Sequence, residues 1–530
     1  MRIQLIHPPV YLNIDALTAL RPSMPLGLAY VAAALERAGH EVSVIDAVAA
    51  APDRTTAAGQ LHRLGLSPEE IAARVAPETE ILGITNMWSF SWPLVREILH
   101  ELKRRYPRIP ILAGGEHFTG LPELSLRDSP VDYVVLGEGE ETVVELARML
   151  EEGRTDPGDL AGVAFRRDGE IVMNPRRARV QAVDDLPWPA WHLFDLAAYN
   201  DHSLLAGVKA GWTVPILATR GCPYQCTYCS SPGMWTTRWV ARDPVDVVDE
   251  IEHYVRTYGA RNFPFQDLTA IVRKDWIVRF CTELLERSLD VVWQFPSGTR
   301  CEVIDDEVAA LLARSGGRHL AFAPESGSEN TRKLIKKRMS EGGLFDAVEA
   351  SVRHGLNITA FFVIGFPHDT RADLAETARW VRRLAWKGID DIAIGFFFPI
   401  PNTELFRSLA EKGLVDCSDR SLMTPIFAND VRLRAENNYC ERLSHRELTG
   451  WKYWLLVNFY APSFLLHPRR ALRLVANSLR GRETRKLETF LVELKRKSGL
   501  WSRARGSAAG SPASAPPPRT AEEGKKVPVG

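Results

Sequence analysis

The stretch VPILATRGCPYQCTYCS, residues 214–230, decides how the rest of the chain is interpreted. A short apolar run ends at Thr219, and three cysteines follow it at positions 222, 226 and 229. The 530 residues hold only seven cysteines, so these three form a marked local concentration of thiols. Ligands placed directly after a strand are typical of α/β folds with parallel strands, in which chemistry gathers at the carboxyl ends of the strands.

The segment after the cysteines alternates between apolar strands and helical patterns. Helical periodicity, as in KDWIVRFCTELLERS, separates five further candidate strands. These are NFPFQD (262–267), VVWQFP (291–296), HLAFAP (319–324), ITAFFVIG (358–365) and DIAIGFFF (391–398). About six β/α units make most of a β/α barrel. The sequence therefore predicts a partial (β/α)6 TIM-type barrel over residues 211–440, with the three cysteines at its mouth.

The first 150 residues show a second strand–helix alternation. Runs such as IQLIH (3–7) and EILGIT (80–85) predict strands, and helical patterns lie between them. We expect a Rossmann-like, doubly wound parallel sheet, which binds ligands at the carboxyl ends of its strands. Two of the predicted strands lead into the glycine-rich turns LAGGEHFTG (112–120) and LGEGE (136–140). These turns favour a ligand site, although tight turns alone would also explain them.

The remaining parts of the chain differ in composition. Residues 151–210 are predicted to be a linker with a hairpin around RRDGE (166–170), and residues 441–505 a helical C-terminal region. From Arg469 to Arg505 there are twelve Lys and Arg residues against three Glu. Residues 506–530 have the composition of a disordered tail.

Composition and charge exclude several classes of protein. The 66 basic and 66 acidic residues balance, so no overall field attracts nucleic acid, which we do not expect as a partner. No apolar run reaches the roughly 18 residues of a membrane span, and the N-terminus has the pattern of a first strand rather than a signal peptide. We expect a cytoplasmic protein with reduced thiols.

Three thiols in one loop favour an iron–sulfur cluster over zinc. A structural zinc ion usually takes four Cys or His ligands, whereas here three cysteines cluster and the other four are scattered singly. Three thiolates on a [4Fe–4S] cluster would leave one iron free to bind a substrate or cofactor. Zinc remains the alternative.

The segment RGCPYQCTYCS resembles the signature of radical S-adenosylmethionine (SAM) enzymes. The resemblance implies that Cys222, Cys226 and Cys229 hold a [4Fe–4S] cluster whose open iron binds SAM. It also implies that one electron cleaves SAM to methionine and a 5′-deoxyadenosyl radical, which removes a hydrogen atom from the substrate. In such enzymes the cofactors carry the difficult chemistry and the protein orients them.

The resemblance covers roughly residues 1–415 and is to the cobalamin-binding branch, which includes enzymes similar to anaerobic magnesium-protoporphyrin ester cyclase. On the SAM side it implies cofactor contacts from Tyr228, Asp267, Arg300 and Glu325. The chain departs from the usual motifs at Gln266, Ala323 and Asn402. The alternative role for Glu325 is an ion pair with Arg300 or Arg318.

On the cobalamin side, the resemblance implies contacts at the ends of the N-terminal strands. The positions are Gly27, Thr85, Gly114, Gly115, His117, Gly137 and Glu138. The DxHxxG motif that supplies a histidine to cobalt in other cobalamin proteins is absent. His117 is a candidate cobalt ligand, and the alternative is a loop histidine that only makes hydrogen bonds.

The resemblance implies a cobalamin-dependent radical SAM enzyme that methylates an unactivated carbon of a small molecule such as a lipid or natural product. Radical cyclisation or skeletal rearrangement is the second hypothesis, and a corrinoid or iron–sulfur carrier is the third. A methylthiotransferase would need three more cysteines in residues 1–221, which contain none. A ferredoxin or flavodoxin is the implied electron donor. The basic C-terminal segment either packs on the barrel or contacts a membrane surface.

Overall fold

A computed structural model describes residues 1–494 except 17–21, 206, 481–483, 486 and 493. The predicted tail at 506–530 and the end of the predicted helical region lie outside the described residues. Three apolar cores hold the described part together, and the largest runs from the N-terminal sheet into the barrel.

The N-terminal part is a layered α/β unit. Its strands are β1 (Arg2–His7), β2 (Val10–Leu12), β3 (Glu41–Asp46), β4 (Thr55–Ala58), β5 (Leu61–Leu64), β6 (Ile81–Thr85), β7 (Ile111–Gly114), β8 (Tyr133–Val135), β9 (Val163–Arg167) and β10 (Glu170–Met173). Its helices are α1 (Leu26–Arg37), α2 (Pro68–Ala73), α3 (Trp92–Arg105), α4 (Glu116–Gly120), α5 (Pro122–Asp128) and α6 (Glu140–Glu151).

The main sheet has the order β10-β9-β8-β7-β6-β1-β3, and its strands from β3 to β8 are parallel. The chain moves from β1 to β3 on one side and then to β6 on the other. This reversal opens a crevice at the carboxyl ends of β1 and β6, where such sheets bind ligands. The predicted hairpin forms as β9 and β10 and extends the sheet by two antiparallel strands.

The predicted linker is tightly packed. Trp191 and Tyr199 are buried in the core that joins the two halves. The Tyr199 hydroxyl donates a hydrogen bond to Asp46 Oδ2 at 2.7 Å, at the end of β3. The halves are therefore held by side chains of this segment and not by a loose connection.

The barrel contains the second parallel sheet, in the order β13-β14-β15-β16-β17. Its strands and flanking elements are α7 (Leu196–Asp201), β11 (Thr219–Arg220), α8 (Ser231–Trp235), β12 (Val240–Ala241), α9 (Pro244–Tyr258), β13 (Asn262–Pro264), α10 (Lys274–Glu286), β14 (Val292–Thr299), α11 (Asp306–Arg314), β15 (Gly317–Glu325), α12 (Glu329–Leu334), α13 (Glu341–Arg353), β16 (Asn357–Ile364), α14 (Arg371–Lys387), β17 (Asp391–Phe396), α15 (Glu404–Glu411) and α16 (Asp419–Met423).

The first predicted barrel strand, 214–219, is only partly formed. Thr213 and Ile216 make isolated parallel bridges to Asn262 and Phe265. Pro215 lies between them and lacks the N–H that a continuous ladder requires. The chain nevertheless runs along β13 and delivers the cysteine loop to the carboxyl ends of the parallel strands.

The helices α17 (His445–Leu466) and α18 (Pro468–Leu479) follow the barrel. A capping box between Ser444 and Glu447 begins α17, which buries Leu448, Leu455 and Phe459. Within the described ranges, no helix has the length and apolar composition needed to cross a membrane.

Candidate functional site

The three signature cysteines lie in the single loop between β11 and α8, each half-buried. Burial, together with the neighbouring thiol of Cys226, raises the pKa of Cys222 and raises that of Cys229 to about 12. Thiols this close would repel one another as thiolates, so a cation must stabilise the charged form. The donor set fits an iron–sulfur cluster, because soft thiolates are the ligands that iron clusters take.

The other four cysteines lie elsewhere as free thiols, three of them buried, and none belongs to the loop. Among the residues that the structure describes, no group of three or more His, Cys, Asp or Glu side chains is placed to hold a single metal ion.

Glu325 ends β15 in a strained conformation beside the cysteine loop. Its φ is +64°, in the left-handed region that non-glycine residues rarely adopt, and the register of β15 is irregular just before it. The Tyr228 hydroxyl donates to Glu325 Oε1 at 2.8 Å, and Lys337 Nζ approaches the same oxygen at 3.3 Å. A half-buried tyrosine of the cysteine loop therefore holds a carboxylate at the barrel mouth.

Neither arginine proposed as an ion-pair partner of Glu325 takes that role. Arg300 Nε donates to Glu302 at 3.0 Å, and Arg318 donates to backbone carbonyls. The Arg300 guanidinium lies 4.0 Å from the ring centre of Tyr224 and also bonds the carbonyl of Arg338. Arg300 thus supports the cysteine loop from beside it.

Asp267 is buried just after β13, the strand beside the segment that leads to the cysteines. It accepts hydrogen bonds from the Thr219 backbone N at 2.5 Å, the Thr219 hydroxyl at 2.6 Å and the Ala218 N at 3.3 Å. Burial raises the pKa of Asp267 to about 6. These contacts give it a positioning role for the segment before the loop.

A deep cavity lies at the carboxyl edge of the N-terminal sheet and contains about 1450 Å³ of space not filled by protein, counting its open mouth. Six of the seven residues predicted on the cobalamin side line it: Gly27, Thr85, Gly114, Gly115, Gly137 and Glu138. It runs inward past Leu5, Tyr30 and Val143, between the sheet and its helices. Its outer wall comes from the barrel, through Arg220, Gly221, Met234, Trp235, Gln266 and Leu268.

Gly115 is required at the rim of this cavity. Its φ is +107°, and a Cβ there would lie 2.6 Å from the carbonyl oxygen of Asn86. Only glycine allows the chain to turn here and leave the cavity open.

The seventh predicted residue, His117, lies outside the cavity lining. Its ring stacks on Trp92 at 4.6 Å between centroids, and its Nδ1 is 3.1 Å from Ser89 Oγ. Burial lowers the pKa of His117 to about 3, so the ring is neutral. This position corresponds to the hydrogen-bonding alternative and not to a ligand that faces the cavity.

A buried ion network, which the sequence did not predict, joins the cavity to the cysteine loop. Arg220 donates to Glu138 at 3.3 Å and to Glu140 at 2.6 Å. Glu138 also accepts from Arg179 Nε and the Val180 N, both at 2.9 Å. Burial alone would raise the pKa of Glu140, but Arg220 holds it below its usual value. The predicted ligand Glu138 is therefore engaged in holding the two halves together.

Two family descriptions match the chain and agree with this arrangement. The B12 binding domain matches residues 13–147, and the Radical SAM superfamily matches residues 216–381. The chain is therefore a B12-binding radical SAM enzyme, and its cofactors are cobalamin, a [4Fe–4S] cluster and SAM.

Individual proteins are similar to this chain over most of its length. An uncharacterized methyltransferase of Pyrococcus horikoshii is 28% identical over 77% of this chain and 83% of its own. The cytidylyl-2-hydroxyethylphosphonate methyltransferase of Streptomyces wedmorensis is 27% identical over 75% of this chain and 79% of its own. The anaerobic magnesium-protoporphyrin IX monomethyl ester cyclase of Synechocystis is 28% identical over 78% of each chain.

Solved structures share the fold. The radical SAM methyltransferase TsrM from Kitasatospora setae, with cobalamin and a [4Fe–4S] cluster bound, has a TM-score of 0.61 and 19% identity over 78% of each chain. The enzyme OxsB with aqua-cobalamin and SAM has a TM-score of 0.63 and 14% identity, covering 96% of this chain and 80% of its own.

Proposed function

We propose that the protein methylates an unactivated carbon of a small-molecule substrate. One observation carries the proposal: the cavity of the B12-binding half is walled by Arg220 and Gly221, the residues that directly precede Cys222. The two proposed cofactor sites would therefore adjoin. When bound, the cluster and SAM supply a hydrogen-abstracting radical, and cobalamin supplies a transferable methyl group.

The residues around the sites have separate tasks. Cys222, Cys226 and Cys229 would hold the cluster, and the carboxylate of Glu325, held by Tyr228 and Lys337, would bind a polar group of SAM. The apolar inner walls of the cavity would exclude water from the cobalamin.

Radical cyclisation is the second candidate function. The cyclases among the relatives support it, since two of them are 26% and 28% identical to this chain and the methyltransferase of Streptomyces wedmorensis is 27% identical. A ring-forming reaction would use the same cluster and SAM but would transfer no methyl group to the product.

Anaerobic reconstitution with iron, sulfide and cobalamin, followed by turnover with methyl-labelled SAM and a cell extract, tests the proposal. We expect labelled methyl groups in a small-molecule product together with 5′-deoxyadenosine. Cys226→Ala should abolish both, whereas the control Cys417→Ala, at a half-buried thiol outside the loop, should retain both. Deoxyadenosine without label in any product would contradict methylation and favour cyclisation.

The substrate or its carrier would reach the enzyme at an anionic membrane surface through α18. Leu472, Val475 and Leu479 are 71%, 59% and 84% exposed and lie within about 60° of one another around the helix. Arg469, Arg473 and Arg480 follow the edge of this apolar face, as in helices that lie in the lipid interface.

Co-sedimentation with vesicles tests this contact. The protein should bind vesicles that contain phosphatidylglycerol and not vesicles of phosphatidylcholine alone. Leu472→Ser with Leu479→Ser should remove the binding, whereas Leu414→Ser, at an exposed leucine on the barrel, should not. Equal binding by all variants would contradict the assignment to α18.

A further inference from the structure

A second large opening, here called the basic groove, lies beside the cysteine loop. Its floor includes Pro223, Tyr224 and Gln225 of that loop, and its walls come from residues 327–341 and from α14. It contains about 2060 Å³ of non-protein space, counting its open side. The cobalamin-side cavity shares none of these residues, so the groove reaches the loop from another direction.

The groove carries a strong excess of positive charge. Seven basic residues line it, namely Arg332, Lys333, Lys336, Lys337, Arg338, Arg379 and Arg383, against the acidic residues Glu329, Glu341 and Glu376. The whole chain is neutral, with 66 residues of each sign, so this concentration is local. The cobalamin-side cavity has the opposite balance, with three glutamates and one arginine. An acidic partner would therefore be attracted to the groove and not to the chain in general.

The basic side chains at the rim are available to an incoming partner. Lys333, Arg379 and Arg383 are 74%, 64% and 52% exposed, and each pairs with an acidic neighbour on the same surface. Exposed pairs of this kind contribute about 0–1 kcal/mol, so a partner carboxylate can replace the internal one at little cost. Basic side chains that lie on separate elements can attract and orient an approaching protein. Binding of a small anion would instead need several side chains that point at one position.

The floor of the groove touches the iron-ligating loop. The carbonyl oxygen of Lys336 lies 3.9 Å from Cys226 Sγ, and the Thr227 N donates to the carbonyl of Ile335 at 3.1 Å. Arg332 stacks on Trp380 at 4.2 Å and donates to the carbonyl of Ser326, beside Glu325. A partner in the groove would thus lie next to a cluster ligand. Electron transfer needs this proximity, because the rate of electron tunnelling falls steeply with distance.

We propose that the basic groove is the docking site of an acidic protein electron carrier of the flavodoxin type. The inference rests on the proposed function, because radical cleavage of SAM consumes one electron. In each transfer, the reduced flavin of the carrier passes from hydroquinone to semiquinone, and the cluster gains that electron. No atom or group moves between the two proteins.

Charge reversal in the reconstituted full-length protein tests the proposal. The groove variant carries Lys333→Glu, Arg379→Glu and Arg383→Glu. The control variant carries Arg104→Glu, Arg154→Glu and Arg256→Glu, at arginines that are 71%, 60% and 76% exposed, pair with a nearby glutamate in the same way and lie outside the groove. The probe is an acidic flavodoxin. Two quantities are measured at low and high salt: the affinity of its oxidised form and the rate at which its hydroquinone reduces the cluster.

At low salt, we expect the groove variant to lose about tenfold or more in affinity for flavodoxin and in the rate of cluster reduction. At high salt, the difference between the wild type and the groove variant should become smaller. The control variant should behave as wild type, and all three proteins should be reduced equally fast by dithionite, which needs no docking. Equal losses in both variants, or none, would overturn the proposal. Binding of transfer RNA at the groove with no effect of the reversals on flavodoxin would also overturn it.

The same experiment separates this inference from the proposed function. If dithionite-reduced protein forms no deoxyadenosine from SAM, radical SAM cleavage fails whatever the groove does. If deoxyadenosine forms with dithionite and the charge reversals leave the rate of cluster reduction by flavodoxin unchanged, only the docking site is wrong.

Discussion

Glu325 shows how one residue combines strain and contact at the barrel mouth. A glutamate with φ of +64° persists only where its surroundings hold it, and here a tyrosine hydroxyl and a lysine meet its carboxylate. Strained residues of this kind concentrate at functional sites. The sequence pattern AFAPESGSE indicated the position, but not Lys337 as its ionic partner, since that pairing depends on how the chain returns after α12.

The charge of Glu325 should matter for SAM and not for the cluster. Glu325→Gln keeps the shape and removes the charge, so we expect SAM affinity to fall by about tenfold, or about 1.4 kcal/mol, while the visible spectrum of the cluster is unchanged. Isothermal titration under anaerobic conditions measures this. Tyr228→Phe, which removes one hydrogen bond to the same carboxylate, should cost less. Unchanged SAM affinity in Glu325→Gln would contradict a SAM contact.

At the scale of elements, sequence patterns predicted the strands that are apolar runs and missed strands that lack such a pattern. The parallel strands of both sheets are apolar runs and were predicted. The small antiparallel sheet β2-β5-β4 was missed because its strands, such as Thr55–Ala58, have no apolar alternation. The glycine-rich turns were found. The sequence left two roles open for His117, because only the packing on Trp92 shows where the ring lies.

The turn after β7 gives a prediction at this scale. Gly115→Ala would force a Cβ to 2.6 Å from the Asn86 carbonyl, so the turn must shift and cobalamin loading should fall. Gly153→Ala is the matched control, since Gly153 also has positive φ (+73°) but open space around it. It should cost only about 1 kcal/mol of stability and load normally. Bound cobalamin after gel filtration measures the difference. Equal loading of the two variants would show that the turn does not shape the site.

At the scale of the whole molecule, the proposed function requires that the two cofactor sites keep a fixed position relative to each other. Buried side chains between the two halves fix that position. Arg220, whose side chain is 4% exposed, joins the start of the cysteine loop to Glu138 and Glu140 of the N-terminal half. No sequence motif predicts this network, because Arg220 is about eighty residues from Glu138 and Glu140 and meets them only when the halves pack.

Removing this arginine should uncouple the halves. Arg220→Met leaves two buried carboxylates with fewer partners, which typically costs 3–5 kcal/mol. We expect a lower thermal midpoint and faster proteolysis between the halves, within residues 151–210, which the sequence predicts to be a linker. Arg242→Met, which breaks a similarly buried pair with Glu250 within the barrel half, is the control. It should destabilise the protein without exposing the linker. Identical cleavage patterns would contradict the role of Arg220 as a connection.

The electron paramagnetic resonance spectrum of the reduced, reconstituted protein, recorded with and without SAM, tests the central claim most directly. Three protein thiolates leave one iron open, so the addition of SAM should change the g-values of the reduced cluster. Cys229→Ala should show no such cluster signal. A spectrum of the wild-type protein that SAM leaves unaltered would mean that the cluster has a full set of protein ligands, and it would contradict the account.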